Sequence, residues 1–262
     1  MLDDANDRYR APALDKGLDI LELLASTDES LTQAEIAKAL NRSPNEIYRM
    51  LDRLVRRSYV ARVMGDRYEL TLRLFSLAHQ HPPVRRLVSQ ALPVMRAFCK
   101  TAEQACHLTV YDRGRVVVVA QMDAPPYWSY SIRVGARVSL YNTGSGHVLL
   151  AFATPQIRGM MEAEREDQAE DKARPDDFDR RLDDIRKRGY EMMPSVQSEA
   201  VFNISAPILG PNGTAIAALT CPFLPRIDRP NVPVRDDVLK ILLATTRELS
   251  QALGGGLEDD RG

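Results

Sequence analysis

The chain has 262 residues, of which 44% are hydrophobic, and this suffices for one small domain and one of ordinary size, each with a buried core. Its formal net charge of −1 excludes a protein that is held on nucleic acid by overall positive charge. Three cysteines without metal-ligand spacing, no apolar run near the ~20 residues of a membrane helix, and an acidic N-terminus predict a cytoplasmic protein with no metal, no cofactor and no membrane partner.

The first predicted element is a helix over residues 14–24. Its apolar stripe is formed by Leu14, Leu18, Leu21 and Ala25. We expect this stripe to cover two short helices that follow it.

Two helix-start signals, eleven residues apart, come next. Each is a capping box, in which a hydroxyl accepts from a free amide and a Glu three residues later reaches back: Thr32-Gln33-Ala34-Glu35 and Ser43-Pro44-Asn45-Glu46. After the second box, one apolar stripe runs along the helix and consists of Ile47, Leu51, Leu54 and Val55. Two short helices joined by a tight turn predict a helix-turn-helix.

The opposite face of the second helix is rich in arginine. Residues 38–73 include nine basic and four acidic side chains, and all but one of the basic ones are Arg. Arginine binds a phosphate or a guanine edge through two parallel hydrogen bonds. A charged helix face is by itself more often only solvated, but within a helix-turn-helix it predicts DNA binding. The predicted DNA contacts are Thr32, Gln33, Ser43, Asn45, Tyr48, Arg49, Arg53, Arg62 and Arg67.

A hairpin is predicted after the second helix, because two short β-prone runs, 59–63 and 67–70, flank the turn Met64-Gly65-Asp66. Arg62 and Arg67 flank that turn, where a wing could touch phosphates or the minor groove. The alternative is a surface hairpin with two solvated arginines.

The next predicted helix covers residues 71–80, and His81-Pro82-Pro83 ends it because Pro disfavours helix in the residue before it. Its apolar side chains Leu72, Phe75 and Leu77 have little of their own domain to cover. We therefore expect them to bury against a second copy, in a homodimer or a dimer of dimers.

The remaining sequence predicts an antiparallel sheet flanked by helices. A long helix from about Val84 to Glu103, bent at Pro93, precedes a hairpin whose second strand, 116–119, we expect to be buried on both faces. Further elements are helices at 143–153 and 155–166, a polar loop at 167–177, a charged helix ending at Arg188, a closing hairpin at 204–209 and 215–220, and a last helix at 234–253.

The sequence contains no recognisable catalytic constellation. Ser145 lies between Gly144 and Gly146, but a nucleophile elbow needs Gly two residues before the Ser, and position 143 is Thr. The four histidines have no metal-like spacing, and no Gly-rich phosphate loop with Lys is present. We therefore predict a protein that is not an enzyme.

The predicted helix that begins at Thr143-Gly144-Ser145-Gly146 favours ligand binding instead. Free amides and the dipole at a helix N-terminus attract an anionic group such as a carboxylate, although an ordinary capped helix start is the alternative. Tyr127 and Trp128 lie in a loop where their rings could stack on a sugar or an aromatic ring; a dimer contact or simple loop packing is the alternative.

Three sets of motifs occur in order along the chain: ALDKGLDIL (13–21), LTQAEIA (31–37), IYRMLDRL (47–54) and Tyr59-Val60; then RVGARVSLYNTGSGHVLLA (133–151); then RGY (188–190) and ISAPI (204–208). In these motifs, which extend the match from about residue 11 to 253, the chain resembles the IclR family of bacterial transcription regulators. It departs from the family pattern at Ser58, where Gly is usual, at His147, where Lys or Arg is common, and at Asn203, where many members have Cys.

The resemblance implies an α+β protein in several parts. It implies a winged helix-turn-helix at residues 11–70, a linker helix at 71–82 and an effector-binding domain at 83–253, built on a GAF-like antiparallel sheet flanked by helices. A disordered tail is expected at 1–10 and a flexible tail at 254–262.

The function that the resemblance implies is that of a ligand-responsive regulator. Such a protein binds a palindromic double-stranded DNA operator as a dimer and responds to a small-molecule effector, here an organic acid, a sugar acid or an aromatic acid. Carried over by position, the effector contacts are Gly144, Ser145, Asn203, Ser205, Thr220 and Cys221. The alternatives are a DNA-binding protein without a ligand and a sensor domain with enzymatic activity.

Overall fold

A computed structural model describes residues 11–80, 82–124, 129–165, 174–226 and 231–255. These residues fall into two compact units that divide between Pro82 and Pro83. The first unit combines short helices with a small sheet, and the second has a larger sheet with helices on both of its faces.

The described part of the first unit contains a helix-turn-helix followed by a hairpin. Its small antiparallel sheet has the order β1-β3-β2, in which β2 and β3 are the predicted hairpin. The elements are α1 (Pro12–Ala25), β1 (Leu31–Thr32), α2 (Gln33–Ala39), α3 (Pro44–Arg56), β2 (Val60–Val63), β3 (Arg67–Leu70) and α4 (Arg73–Gln80).

The core of the first unit is formed by Ile36 of α2, Ile47 and Leu51 of α3, and Ile20 and Leu24 of α1, all of which are buried. The stripe predicted for the first helix is wrong at three of its four positions: Leu14, Leu18 and Ala25 are exposed, and only Leu21 packs against the core. The apolar residues of α1 that join the core all lie in its C-terminal half, whereas the contact of its N-terminal half with α3 includes the ion pair of Lys16 and Glu46.

Two boundaries near the end of the first unit differ from the prediction. The helix predicted from residue 71 begins at Arg73, because the Thr71 backbone amide donates to Tyr59 O and the Thr71 hydroxyl accepts from the Arg73 amide. The following helix, α5 (Pro82–Ala102), begins at Pro82 rather than near Val84, since Pro is well tolerated in the first turn of a helix.

The second unit is built on a six-stranded antiparallel sheet of order β6-β5-β4-β9-β8-β7. After α5 its elements are β4 (Cys106–Asp112), β5 (Arg115–Met122), β6 (Arg137–Val138), α6 (Gly144–Ala151), α7 (Pro155–Ala163), α8 (Phe178–Arg188), β7 (Glu191–Pro194), β8 (Phe202–Leu209), β9 (Ala215–Phe223) and α9 (Arg235–Ala252).

Each face of this sheet packs against a different set of helices. One face contributes Leu108, Ile204 and Leu219 to a core that includes Phe98 of α5 and Leu242 of α9. The other face is covered by α6 and α8, which form a second apolar cluster. Because successive residues of a strand point to opposite faces, neighbouring positions on β4, β8 and β9 belong to different surroundings.

Three further expectations for the second unit need correction. The strand at 116–119 is not buried on both faces: Val116 and Val118 are buried, whereas Val117 and Val119 are partly exposed, and only the two-residue strand β6 lies beyond β5 at this edge of the sheet. Strands β6 and β7 have no counterpart in the prediction. Gly255, expected in a free tail, is buried, and its amide donates to Ser250 O.

Candidate functional site

The two short helices of the first unit are held by the predicted capping boxes. In the first, Thr32 Oγ1 accepts from the Glu35 amide at 3.2 Å, and Glu35 Oε2 accepts from the Thr32 amide at 2.7 Å. In the second, Glu46 Oε2 accepts from both the amide and the hydroxyl of Ser43. A hydrogen bond from Lys16, reinforced by those from Ser43, lowers the pKa of Glu46 to about 2, so α3 begins at a permanent negative charge.

The outer face of α3 is open to solvent. Asn45, Arg49 and Arg53 are exposed, and Tyr48 is 57% exposed although it is a large aromatic residue. Within the described residues neither Arg49 nor Arg53 forms an ion pair, whereas Arg56 is paired with Asp52 at 3.0 Å. Two unpaired guanidinium groups on one helix face are suited to phosphate and base-edge binding.

Other residues of the predicted DNA interface have roles within the protein. Gln33 Nε2 donates to Pro44 O at 2.9 Å and so ties α2 to the start of α3. Arg62 is paired with Asp66 at 2.6 Å across the hairpin turn. Arg67 donates to Ser30 O and approaches Glu35, which anchors β3 rather than leaving the guanidinium free.

The hairpin turn projects from the small sheet. Gly65 and Asp66, in the three-residue turn that joins the paired residues Val63 and Arg67, both have positive φ, 76° and 57°. Met64 at its edge is 94% exposed. This geometry is that of a wing beside the helix-turn-helix.

In the second unit, the start of α6 packs directly on the sheet. The Thr143 side chain caps the helix by accepting from the Gly146 amide at 3.1 Å, and Gly144 and Ser145, which follow it, are buried. A Cβ atom at position 144 would lie 2.5 Å from Ser205 Oγ, so only glycine fits there without a shift of Ser205.

The hydroxyl groups of the two central strands meet under this helix start. Ser205 Oγ on β8 and Thr220 Oγ1 on β9 lie 2.8 Å apart, and both residues are buried. Asn203, two residues before Ser205, lies on the same face of β8 and is partly exposed. The structure thus brings together three predicted effector residues, Gly144, Ser205 and Thr220, and the buried Ser145 directly follows Gly144 in the helix start.

Cys221 does not belong to this group, and its predicted role is corrected. It pairs with Ile204 rather than Ser205, so its side chain points to the opposite face of the sheet, into the core with Leu108. Burial raises the pKa of its thiol well above the ordinary value, which keeps it protonated. The pattern of alternating residues on β9 was sufficient to separate Cys221 from Thr220.

A buried charged cluster beside the helix start escaped the sequence analysis. His147 Nδ1 of α6 lies 3.3 Å from Glu191 Oε2 of β7, and Arg181 and Arg188 also donate to this carboxylate at 2.9 and 2.6 Å. Burial alone would raise the pKa of Glu191, but the hydrogen bonds from His147 and Arg181 outweigh it and lower the pKa. An acidic residue at the start of an otherwise apolar strand was the available signal.

Two groups of predicted residues remain: the aromatic pair of the loop and the predicted contact with a second copy. Tyr127 and Trp128 lie outside the described residues. The residues predicted to contact a second copy, Leu72, Phe75 and Leu77, are 77%, 58% and 38% exposed.

Two other kinds of site are absent from the described ranges. No group of three or more His, Cys, Asp or Glu side chains there is arranged to hold a metal ion. None of the helices in those ranges is both long and apolar enough to cross a membrane.

Comparisons with known proteins cover both units. Residues 13–63 match the family model described as the IclR helix-turn-helix domain, and residues 83–251 match that described as the bacterial transcriptional regulator IclR C-terminal. The HTH-type transcriptional regulator BhcR of Paracoccus denitrificans is 26% identical over 97% of this chain and 90% of its own. KdgR of Escherichia coli, another HTH-type transcriptional regulator, is 27% identical over 72% of this chain and 73% of its own.

Solved structures share the fold. An IclR homolog from Microbacterium hydrocarbonoxydans in complex with 4-hydroxybenzoate superposes with a TM-score of 0.73 at 21% identity, over 92% of this chain and 98% of that one. Pseudomonas aeruginosa HmgR gives a TM-score of 0.72 at 21% identity, over 93% of this chain and 100% of that one. The relatives named here are regulators rather than enzymes. The chain is therefore an α+β protein that belongs to the IclR family of transcriptional regulators, with a helix-turn-helix domain for DNA and a C-terminal ligand-binding domain.

Proposed function

We propose that this regulator binds a palindromic DNA operator as a two-fold dimer and that a small carboxylic acid, bound at the start of α6, changes its operator affinity. The observation that carries the proposal for DNA is the pair of exposed guanidinium groups on α3, those of Arg49 and Arg53. A two-fold dimer presents two such helices to two half-sites, which makes the preferred site an inverted repeat. A regulator that acts on bacterial DNA works in the cytoplasm.

The proposed dimer contact is the apolar surface of Leu72, Phe75 and Leu77. These side chains are exposed although they are large and apolar, and a second copy would remove them from water. A dimer, or a dimer of dimers, follows from such self-association.

For the effector, the support is the buried start of α6 above the hydroxyl pair of Ser205 and Thr220. The first amides of a helix attract a carboxylate, and the hydroxyl groups beside them supply further hydrogen bonds. Ser145 and Asn203 would orient the ligand. The complex of a structural neighbour with 4-hydroxybenzoate makes hydroxylated aromatic acids the first candidates to test, beside sugar acids and other organic acids.

Two experiments test this proposal. Selection of bound duplexes from a random DNA pool by the full-length protein should yield an inverted repeat, and a non-repeated consensus would contradict the dimeric arrangement. A thermal-shift screen of aromatic acids, sugar acids and short aliphatic acids should find a compound that raises the melting temperature, because a ligand that binds the folded state stabilises it.

A further inference from the structure

Five polar side chains form one row across the face of the larger sheet that α6 covers. Residues that pair directly on antiparallel strands present their side chains on the same face. The row follows the strand order and consists of Gln121 on β5, His107 on β4, Thr220 on β9, Ser205 on β8 and Glu191 on β7.

One half of this row is satisfied by its neighbours. Ser205 and Thr220 bond to each other, and Glu191 accepts from His147 and two arginines. These groups need nothing further from a ligand to offset their burial.

The other half of the row is not satisfied within the described residues. His107 is 2% exposed, and neither its Nδ1 atom nor the buried Oε1 atom of Gln121 has a hydrogen-bond partner there. An unpaired polar atom in the interior is costly, and two on directly paired residues indicate a position that another molecule fills.

The chemistry of these two atoms limits which functional group of the bound molecule can pair with them. Burial lowers the pKa of His107 to about 4, so its imidazole is neutral near pH 7 and has no charge with which to attract a carboxylate. Gln121 Oε1 can only accept a hydrogen bond. A hydroxyl group fits both, because it donates to Gln121 Oε1 and accepts from the Nδ1–H of the His107 tautomer that carries its proton there.

The position of the pair along the row sets the length of the ligand. Neighbouring strands are about 4.8 Å apart, so His107 lies about 10 Å from Ser205, two strands away, on which Gly144 of α6 packs. We propose that His107 and Gln121 form a subsite for a hydroxyl group of the effector, at the end opposite to its carboxylate. This deepens the proposed function and rests on it: the effector is a hydroxy acid with its two polar groups on the order of 5–10 Å apart.

Matched pairs of acids test the subsite with the full-length protein. The probes are 4-hydroxybenzoate with benzoate, 4-hydroxyphenylacetate with phenylacetate, and 6-hydroxyhexanoate with hexanoate. We expect at least one hydroxy acid to bind the wild type about tenfold or more tightly than its partner, because a site with buried polar groups rejects an analogue that leaves them unpaired. Titration calorimetry measures each dissociation constant.

Two variants test whether the preference for the hydroxy acid over its deoxy partner arises at this subsite. His107→Leu and Gln121→Met should each reduce the preference to less than about threefold while the deoxy acid still binds. His107→Leu should also leave the ligand-free melting temperature unchanged or raise it, since it removes an unpaired buried atom. Thr109→Val is the matched control on β4, because its hydroxyl already donates to Ala218 O, and it should retain the wild-type preference.

The outcomes separate this subsite from the carboxylate site. Ser145→Val should weaken both acids of a pair by the same factor, which tests the proposed function alone. Equal affinity of the wild type for both members of every pair, including no binding of either, would overturn the hydroxyl subsite and leave a buried water as the partner of His107. A preference that survives in both His107→Leu and Gln121→Met would overturn it as well.

Discussion

The His147 imidazole on α6 is bound at both nitrogens: Nδ1 lies 3.3 Å from the Glu191 carboxylate on β7, and Nε2 lies 2.7 Å from Tyr141 O. His147 is the fourth residue of α6, so these two bonds fix the start of that helix against the sheet. At the proposed effector site, the amides of Gly144 and Ser145 are thereby held in place in the ligand-free protein, which would reduce the conformational entropy lost on binding.

Replacement of Glu191 by Gln should destabilise the second unit. The buried carboxylate accepts from His147, Arg181 and Arg188 through both of its oxygens, and the single oxygen of a neutral amide cannot accept from all three. Since both arginine side chains are 39% exposed and remain partly hydrated, we expect a loss of about 1–3 kcal/mol in the free energy of unfolding, measured by urea titration. Asp184→Asn, on the exposed side of α8, is the control and should have no measurable effect.

The same carboxylate predicts a pH dependence. The pKa of Glu191 is lower in the folded protein than its ordinary value of 4.5, so its stabilising contribution is complete above 4.5 and is lost as the pH falls below that value. The difference in melting temperature between wild type and Glu191→Gln should therefore be largest near pH 7 and shrink as the pH falls below about 4.5. A difference that grows with acidification would contradict this assignment.

Gly144→Ala should show whether the helix start and the sheet are in close contact. The new methyl group would meet Ser205 Oγ at 2.5 Å and force that hydroxyl away from Thr220, at a cost of about 1–3 kcal/mol. Adding Ser205→Ala should recover part of the loss, which a double-mutant cycle measures.

Gly159 in α7 offers the matched control. A Cβ atom there has nothing within 4 Å, so Gly159→Ala should stabilise the protein by about 0.5–1 kcal/mol through its higher helix propensity. Equal effects of the two Gly→Ala substitutions would show that position 144 is not packed as described.

Arg49→Ala and Arg53→Ala should each weaken operator binding without unfolding the protein, because both side chains are exposed. A base contact is worth about 1–3 kcal/mol and is confined to the specific site, whereas a phosphate contact weakens binding to all sequences and lowers the salt dependence. Fluorescence anisotropy at two salt concentrations separates the two. Arg180→Ala, in the second unit, is the control and should not change operator affinity. Unchanged affinity in both α3 variants would show that α3 is not the helix that recognises DNA.

Leu72→Glu combined with Phe75→Glu should convert the proposed dimer to a monomer and weaken operator binding. Charges at these exposed apolar positions cannot be buried against a second copy without a large desolvation cost. Light scattering at micromolar concentration measures the mass. A wild type that is already monomeric, yet binds its operator tightly, would contradict the dimer proposal.

The sequence was most informative where a local pattern determines local structure. The capping boxes at Thr32 and Ser43 and the turn at Gly65-Asp66 depend on neighbouring residues, so both could be read directly. Which apolar residues of α1 are buried depends instead on how the helix packs on the rest of the unit. Leu14 and Leu18 have the spacing of a buried stripe but lie beyond the core.

The candidate effector site was predictable only in part, because it is assembled from strands distant in sequence. Resemblance to a family indicated Gly144, Ser205 and Thr220, which do lie together, but it also indicated Cys221, whose side chain lies on the opposite face of the sheet. The partners of His147 lie on α8 and β7, more than thirty residues away, and no local pattern predicts that contact. Gln121 and His107 face each other within one hairpin, but their pairing depends on an irregularity between Leu108 and Thr109 that shifts the register.

The central claim is that ligand binding at the start of α6 is coupled to DNA binding. Operator affinity should be measured with and without the acid that most stabilises the wild type, for wild type, Ser145→Val, Asn203→Leu and the control Thr245→Val, whose hydroxyl donates to Ile241 O within α9. We expect the acid to change the affinity of wild type and control by about 5–150-fold, and to have no effect on Ser145→Val and Asn203→Leu, whose ligand-free affinity stays near that of wild type. A wild-type response in both of these variants, at the same acid concentrations, would place the effector site elsewhere and contradict the account.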